Sequence, residues 1–92
     1  MDAKIIKGKT MDIEWQEIGF DSDNIDRIAH TGLDMYVEFK KGSGYKFCNL
    51  PYEIFERILN KEVISKSQGK PSYGATFNML VVKGGYKGEQ YK

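Results

Sequence analysis

Cysteine, histidine, arginine and net charge are all scarce in this chain, and each scarcity narrows the classes of function. A single cysteine, Cys48, allows no intramolecular disulfide, and a single histidine, His30, leaves no Cys/His cluster for a structural zinc. Catalysis by a histidine base would have to pair His30 with Ser22, Ser43 or Cys48, and no spacing recommends any of them. No Asp/Glu-rich loop carries the alternating ligands of a calcium site. The expectation is a protein with no catalytic residue, no metal and no cofactor. The formal net charge is only +1, whereas proteins that hold long nucleic acids by neutralising phosphates carry a clear basic excess. Arginine occurs only at Arg27 and Arg57; the other basic residues are lysines, mobile point charges rather than planar bidentate forks. No run approaches the roughly 18 apolar residues of a membrane span. The opening Met1-Asp2-Ala3-Lys4 lacks the apolar stretch of a signal peptide, so a cytoplasmic protein with no membrane partner is expected.

What is present fits one soluble domain over residues 1–92, 40% hydrophobic and 29% charged. Its centre is the stretch from Met35 to Asn49. Met35, Val37 and Phe39 alternate with Tyr36 and Glu38, a Lys40-Lys41-Gly42-Ser43-Gly44 tip follows, and Tyr45-Lys46-Phe47 brings the chain back, which predicts a β-hairpin. The tip lacks the Gly-Lys-Ser/Thr ending and the following helix of a phosphate loop.

Residues 1–10 are Lys-rich and read as a short N-terminal extension, a loose leader or edge strand. Met11, Ile13 and Trp15 alternate with Asp12, Glu14 and Gln16, predicting a half-buried strand to Ile18 with the only tryptophan at its centre. Phe20 to Asn24 is a turn or cap. Ile25 and Ile28 suit either one helical turn or, given their flanks, a short bulged strand to His30. Thr31-Gly32-Leu33-Asp34 turns the chain into the hairpin. Pro51 opens a helix to about residue 61, with Ile54, Phe55, Ile58 and Leu59 as one apolar stripe. Residues 65–74 have no period and read as a loop. Ala75 to Val82 is predicted to be the last strand, although Phe77 to Leu80 could open as a helical turn. Residues 83–92 read as a flexible Gly/Lys tail that frays. The fold class expected is α+β, a small twisted antiparallel sheet or partial barrel of four to five strands with one helix packed across it.

The aromatics Tyr36, Tyr45, Phe47, Tyr52, Tyr73 and Phe77 exceed what one small core needs. Rings beside lysines can stack bases while neutralising phosphates, or can form a protein interface.

Several short patterns resemble the KTSC domain, a small module found alone in bacterial and phage proteins and at the C-terminus of some lysyl-tRNA synthetases. Ser22-Asp23-Asn24-Ile25 is similar to its Ser-x-Asn-Ile opening, and Tyr36-Val37-Glu38-Phe39 with Gly42 to its strand and hairpin. Tyr45-Lys46-Phe47 stands where the family has Tyr-x-Tyr, Leu50-Pro51 where it has Val-Pro, and Ser72 to Asn78 looks like its Ser-x-Gly-x-x-Phe-Asn element, with Tyr86 beyond. The resemblance covers about residues 18–86. Phe47 in place of the second tyrosine and a longer loop over 64–71 depart from the pattern.

The resemblance implies RNA binding, as an accessory domain of the synthetase kind. The residues themselves favour a non-catalytic module for a small nucleotide ligand, because the charge is near neutral. One concrete form is a phage-type sponge that sequesters a cyclic di- or oligonucleotide immune signal in a bacterial or infected host cell, as a homo-oligomer. In that reading Tyr45 and Tyr73 stack bases with Phe77 beside them, Lys40, Lys41 and Lys46 meet phosphates, and Ser22, Asn24 and Asn78 read polar edges. A short RNA as ligand and a protein–protein interaction domain are the alternatives.

Overall fold

The computed structural model describes residues 13–92. Five antiparallel strands form one open sheet in chain order: β1 (Gln16–Glu17), β2 (Ile25–Thr31), β3 (Asp34–Phe39), β4 (Gly44–Phe47) and β5 (Gly88–Gln90). Two helices, α1 (Tyr52–Leu59) and α2 (Tyr73–Phe77), lie between β4 and β5 in sequence. The fold is therefore α+β, with a meander that needs no crossover. Among the described residues no helix is long and apolar enough to cross a membrane.

The central hairpin forms as its alternation dictates. Val37 pairs with Tyr45 and Met35 with Phe47, so these four side chains share one face, while Tyr36, Glu38 and Lys46 share the other. At the β2–β3 turn, Thr31 pairs with Asp34 across Gly32 and Leu33, and Gly32 takes φ +63, a conformation a side chain would strain. The strand reading of residues 25–30 holds, with a register irregularity between Ile25 and Arg27.

One sheet face packs on the helices. Ile25, Ile28, Met35, Val37 and Phe47 meet Leu50, Phe55, Ile58, Phe77 and Val81 in a single core. Pro51 stands just outside α1 with an extended backbone, and Phe55 and Ile58 are the buried members of its stripe. The helix stops at Asn60, and Lys61 takes the left-handed conformation with φ 49, a helix-ending position more often filled by glycine.

Several expectations are corrected. Ala75 to Val82 is not a strand: α2 continues into a π-helical turn, Asn78–Val82. Ser72 accepts a hydrogen bond from the Ala75 N–H at 3.1 Å, capping α2, and Phe77 and Val81 are buried while Met79 between them is exposed. Alternation would have put all three on one face; a spacing of four is helical. The sheet is accordingly served by two helices rather than one.

The tail does not fray throughout, because Gly88–Gln90 pairs with β4. Of the proposed strand from Met11 to Ile18, Gln16–Glu17 is the paired part among the described residues, with β2. Met11, Asp12 and the extension over residues 1–10 lie outside the described residues.

Among the described residues no helix lies on the second sheet face. Its centre is Glu38, 7% exposed, whose carboxylate accepts from Arg27 Nε at 2.8 Å, from the Tyr91 hydroxyl at 2.9 Å and from Lys92 Nζ at 3.4 Å. Tyr36 sits between Trp15 and Tyr91 in two edge contacts, and the Arg27 guanidinium lies 4.0 Å from the centre of the Trp15 ring. Tyr36, expected among the surplus aromatics, is thus buried here.

Burial pushes the Glu38 carboxyl up, but the hydrogen bonds from Arg27 and Tyr91 and the Arg27 charge outweigh it and hold it below its usual range. A carboxyl lowered on folding contributes stability above its unfolded value and loses it as the pH falls through the folded value. Urea midpoints taken from pH 7 down to about pH 3 are expected to fall more steeply for the wild type than for Glu38→Gln, which starts about 1–3 kcal/mol less stable at pH 7.

A Cβ on Gly88 would come within 2.7 Å of Phe47 ring atoms. Gly88→Ala is expected to destabilise the domain by roughly 1–3 kcal/mol, visible as a melting temperature lowered by several degrees. A frayed tail would show no change.

Candidate functional site

Where the helix-covered face runs out, beside the β3–β4 turn, two adjoining hollows open. The first, about 610 Å³, is floored by Phe39, Tyr45, Phe47 and Phe77 and rimmed by Asn24, Lys40, Lys41 and Ser43, with Val82 and Gly88 at its side. Its four rings interlock edge to face. Tyr45 meets Phe39 at 5.9 Å between centroids, Phe39 meets Phe77 at 6.0 Å, and Phe77 meets Phe47 at 5.6 Å. The floor is consequently a fixed aromatic surface, with Phe47 and Phe77 buried and Phe39 and Tyr45 half-buried.

The second hollow, about 480 Å³, is polar. The turn from Gly19 to Asn24 forms one wall, and Ser65, Gln68, Lys70 and Ser72 stand among the residues of the other. Asp23, Asn24 and Lys40 line both hollows. The junction is built by the backbone: the Lys40 N–H donates to the Asn24 carbonyl at 2.8 Å, tying the hairpin tip to the Ser-Asp-Asn turn. Within that turn the Ser22 hydroxyl accepts from the Ile25 N–H at 3.1 Å, a local bond of the kind short polar side chains favour at turns.

The far wall is held by reciprocal closures. Ile64 and Pro71 form an isolated antiparallel bridge, and the Ser65 N–H donates to the Lys70 carbonyl at 2.8 Å. The stretch expected as a loop over 65–74 is therefore a closed turn that passes into α2 at Tyr73. Gln68 Nε2 donates to Asp23 at 2.8 Å across the hollow, and Lys61 Nζ donates to Asp21 at 2.6 Å. The hydrogen bond and charge of Lys61 hold the Asp21 carboxyl below its usual range. The carboxylates of this hollow thus arrive already partnered.

Of the residues singled out in the sequence, Asn24, Lys40, Lys41, Tyr45 and Phe77 meet at the aromatic hollow, and Ser22 lines the polar one. Three lie elsewhere. Lys46 is on the opposite sheet face, paired with Asp34 at 3.7 Å and 5.9 Å from the centre of the Tyr36 ring. Tyr73 has the Lys61 ammonium 5.1 Å from its ring centre and borders neither hollow. Asn78 is exposed at the start of the π-helical turn, and its carbonyl accepts from the Lys83 N–H at 2.9 Å. Tyr52 is exposed near His30 at the start of α1, outside both hollows.

Residues the sequence reading passed over include Phe39, Asp23, Phe20, Lys70 and Gly88. Asp23 was legible as the centre of the Ser-Asp-Asn turn. Gly88 carried no signal, because a Gly- and Lys-rich segment reads as slack.

Among the described residues the ion pairs engage Arg27, Lys46, Arg57, Lys61 and Lys92 but neither Lys40 nor Lys41, and both of these are exposed. His30 lies outside the hollows, its Nε2 at 2.6 Å from the Leu50 carbonyl and its ring between Tyr52 and Phe55. No family model matches the chain, and no curated protein matches it.

Proposed function

We propose that this protein is a non-catalytic binding module for a small nucleotide ligand. The observation that carries the reading is the juxtaposition of a fixed aromatic floor with two lysines at its rim, Lys40 and Lys41, that stand outside the ion pairs of the described residues. A base stacks on the rings, and its phosphate meets the ammonium groups. The volume of about 610 Å³ suits a compact ligand. Asn24, with both a donor and an acceptor on its side chain, supplies polar recognition at the same rim.

The concrete form of the proposal is sequestration of a cyclic nucleotide signal by a homo-oligomeric protein of phage type, in the cytoplasm of the infected cell. Two of the KTSC-like elements, Ser22-Asp23-Asn24 and Tyr45, contribute to the hollows. The sole histidine, engaged with the Leu50 carbonyl, supports the non-catalytic part.

Calorimetry against a panel of cyclic di- and trinucleotides is expected to give saturable binding, with the ligand recovered intact after heat denaturation. Heat from a short RNA alone, with affinity falling steeply as salt rises, would turn the assignment to an RNA-binding accessory domain. Flat titrations throughout would turn it to a protein-interaction domain.

Tyr45→Ala is expected to abolish nucleotide binding while the domain still melts cooperatively. Lys46→Ala, on the far sheet face, is expected to leave affinity within twofold of wild type, and Lys40→Ala to lower it by about tenfold.

A further inference from the structure

Phe20 is the most exposed large apolar side chain of the described residues, at 87%, and it lines the polar hollow. Exposing a phenyl ring to water is unfavourable, so a ring displayed in this way gains from a partner surface. Fraying does not account for the display. Phe20 is the middle residue of a 3-10 turn, Gly19–Asp21, in which the Asp21 N–H donates to the Ile18 carbonyl at 3.0 Å.

Both ends of the turn are anchored. On one side the Ile18 N–H donates to the Asp26 carbonyl at 3.1 Å, and on the other Lys61 holds Asp21. Gly19 sits so close to Asp26 that a Cβ would fall 2.8 Å from its carboxylate. The turn is fixed by its neighbours, and it carries the ring to the wall of the hollow.

The aromatic hollow already offers one stacking surface. Lys40 stands at the junction, shared by both hollows, with Lys41 on one side and Lys70 on the other. One hollow thus holds the four rings and Lys41, the other Phe20 and Lys70, and Lys40 lines both together with Asp23 and Asn24. Resting on the nucleotide reading above, we infer that the ligand has two bases joined through phosphate, one on the Phe39–Tyr45 floor and the second on Phe20, with the bridging phosphate over Lys40. Ser22, Ser65 and Ser72 then line the hollow that takes the second nucleoside, where their hydroxyls, each already accepting a backbone N–H, have an O–H left to donate, and Asp23 has its second carboxylate oxygen beyond the bond from Gln68.

The test compares calorimetric affinities of wild type and Phe20→Ala for AMP, GMP, cyclic di-AMP and cyclic di-GMP. One of the dinucleotides is expected to bind wild type at least tenfold more tightly than the matching mononucleotide. Phe20→Ala is expected to lose about tenfold for that dinucleotide, within the range of one base stacked on an aromatic ring. It should leave mononucleotide affinity unchanged, and Phe20→Trp should restore the dinucleotide. An unaltered melting temperature is expected for Phe20→Ala, since the side chain packs on so little. A mononucleotide that binds as tightly as its dinucleotide, or a dinucleotide affinity indifferent to Phe20→Ala, overturns the two-base inference and leaves the nucleotide reading standing. Absence of binding by all four overturns both.

Discussion

A carboxylate removed from water must find donors, and Glu38 obliges the chain to supply them. It is the next-to-last residue of β3, on the sheet face that no helix of the described residues covers. Arg27 reaches it from the neighbouring strand, directly across the ladder. The other two donors, the Tyr91 hydroxyl and the Lys92 ammonium, come from the end of the sequence. Satisfying Glu38 therefore draws the C-terminal segment against β4, where β5 can pair. Gly44 permits it, because the Tyr91 ring passes where a side chain would stand, with a Cβ falling 2.7 Å from Tyr91 Cζ. Once β5 is seated, Gly88 becomes one side of the aromatic hollow. A charge on one face of the sheet thus helps to shape the cavity on the other.

The two faces divide the basic residues by task. On the open face three cations, Arg27, Lys46 and Lys92, meet three carboxylates, Glu17, Asp34 and Glu38. The Trp15 ring is occupied by Arg27 and the Tyr36 ring is buried. Aromatics and lysines are abundant there, yet the charges are balanced and little ring surface is free. Such a face is a weak platform for a phosphate backbone. At the hollows the arrangement is reversed, with the half-buried Phe39 and Tyr45 rings lining open space and lysines outside the ion pairs among the described residues.

How much of this could be read from the chain depended on whether the determinant was local. The hairpin, the Gly32 turn and α1 are set by alternation, by a glycine at positive φ and by a four-residue stripe, all visible within ten residues. The segment from Ala75 to Val82 was ambiguous because its apolar residues outnumber those that one face can take. Only the Ser72 cap and the exposure of Met79 decide for helix. The fate of the tail was not legible, since its anchor is a carboxylate 53 residues away in sequence. Among the candidate site residues, those on the hairpin tip and the Ser-Asp-Asn turn were found together because the two turns meet. Lys46 was misplaced by reading composition over strand parity. Its neighbour Tyr45 faces the hollow, so Lys46, one residue on, must face away.

That parity bears on which kind of ligand the site can hold. A long nucleic acid gains affinity from a continuous track of cations, and strand alternation here sends Lys46 to the far face while Asp23 and Asp21 interrupt the track at the polar hollow. What is left is a short cationic segment, Lys40 and Lys41 on one hairpin tip and Lys70 across the junction, spanning a boundary between aromatic and polar surfaces. A ligand that matches it concentrates its negative charge at one place and carries apolar rings to the side. Coulombic attraction to an extended backbone would be diluted by the intervening carboxylates, whereas a compact anion at Lys40 would have one carboxylate beside it, Asp23, which already accepts from Gln68. The near-neutral net charge, taken alone, argues against a long nucleic acid; the placement of Lys40, Lys41 and Lys70, outside the ion pairs of the described residues, gives that argument its physical content.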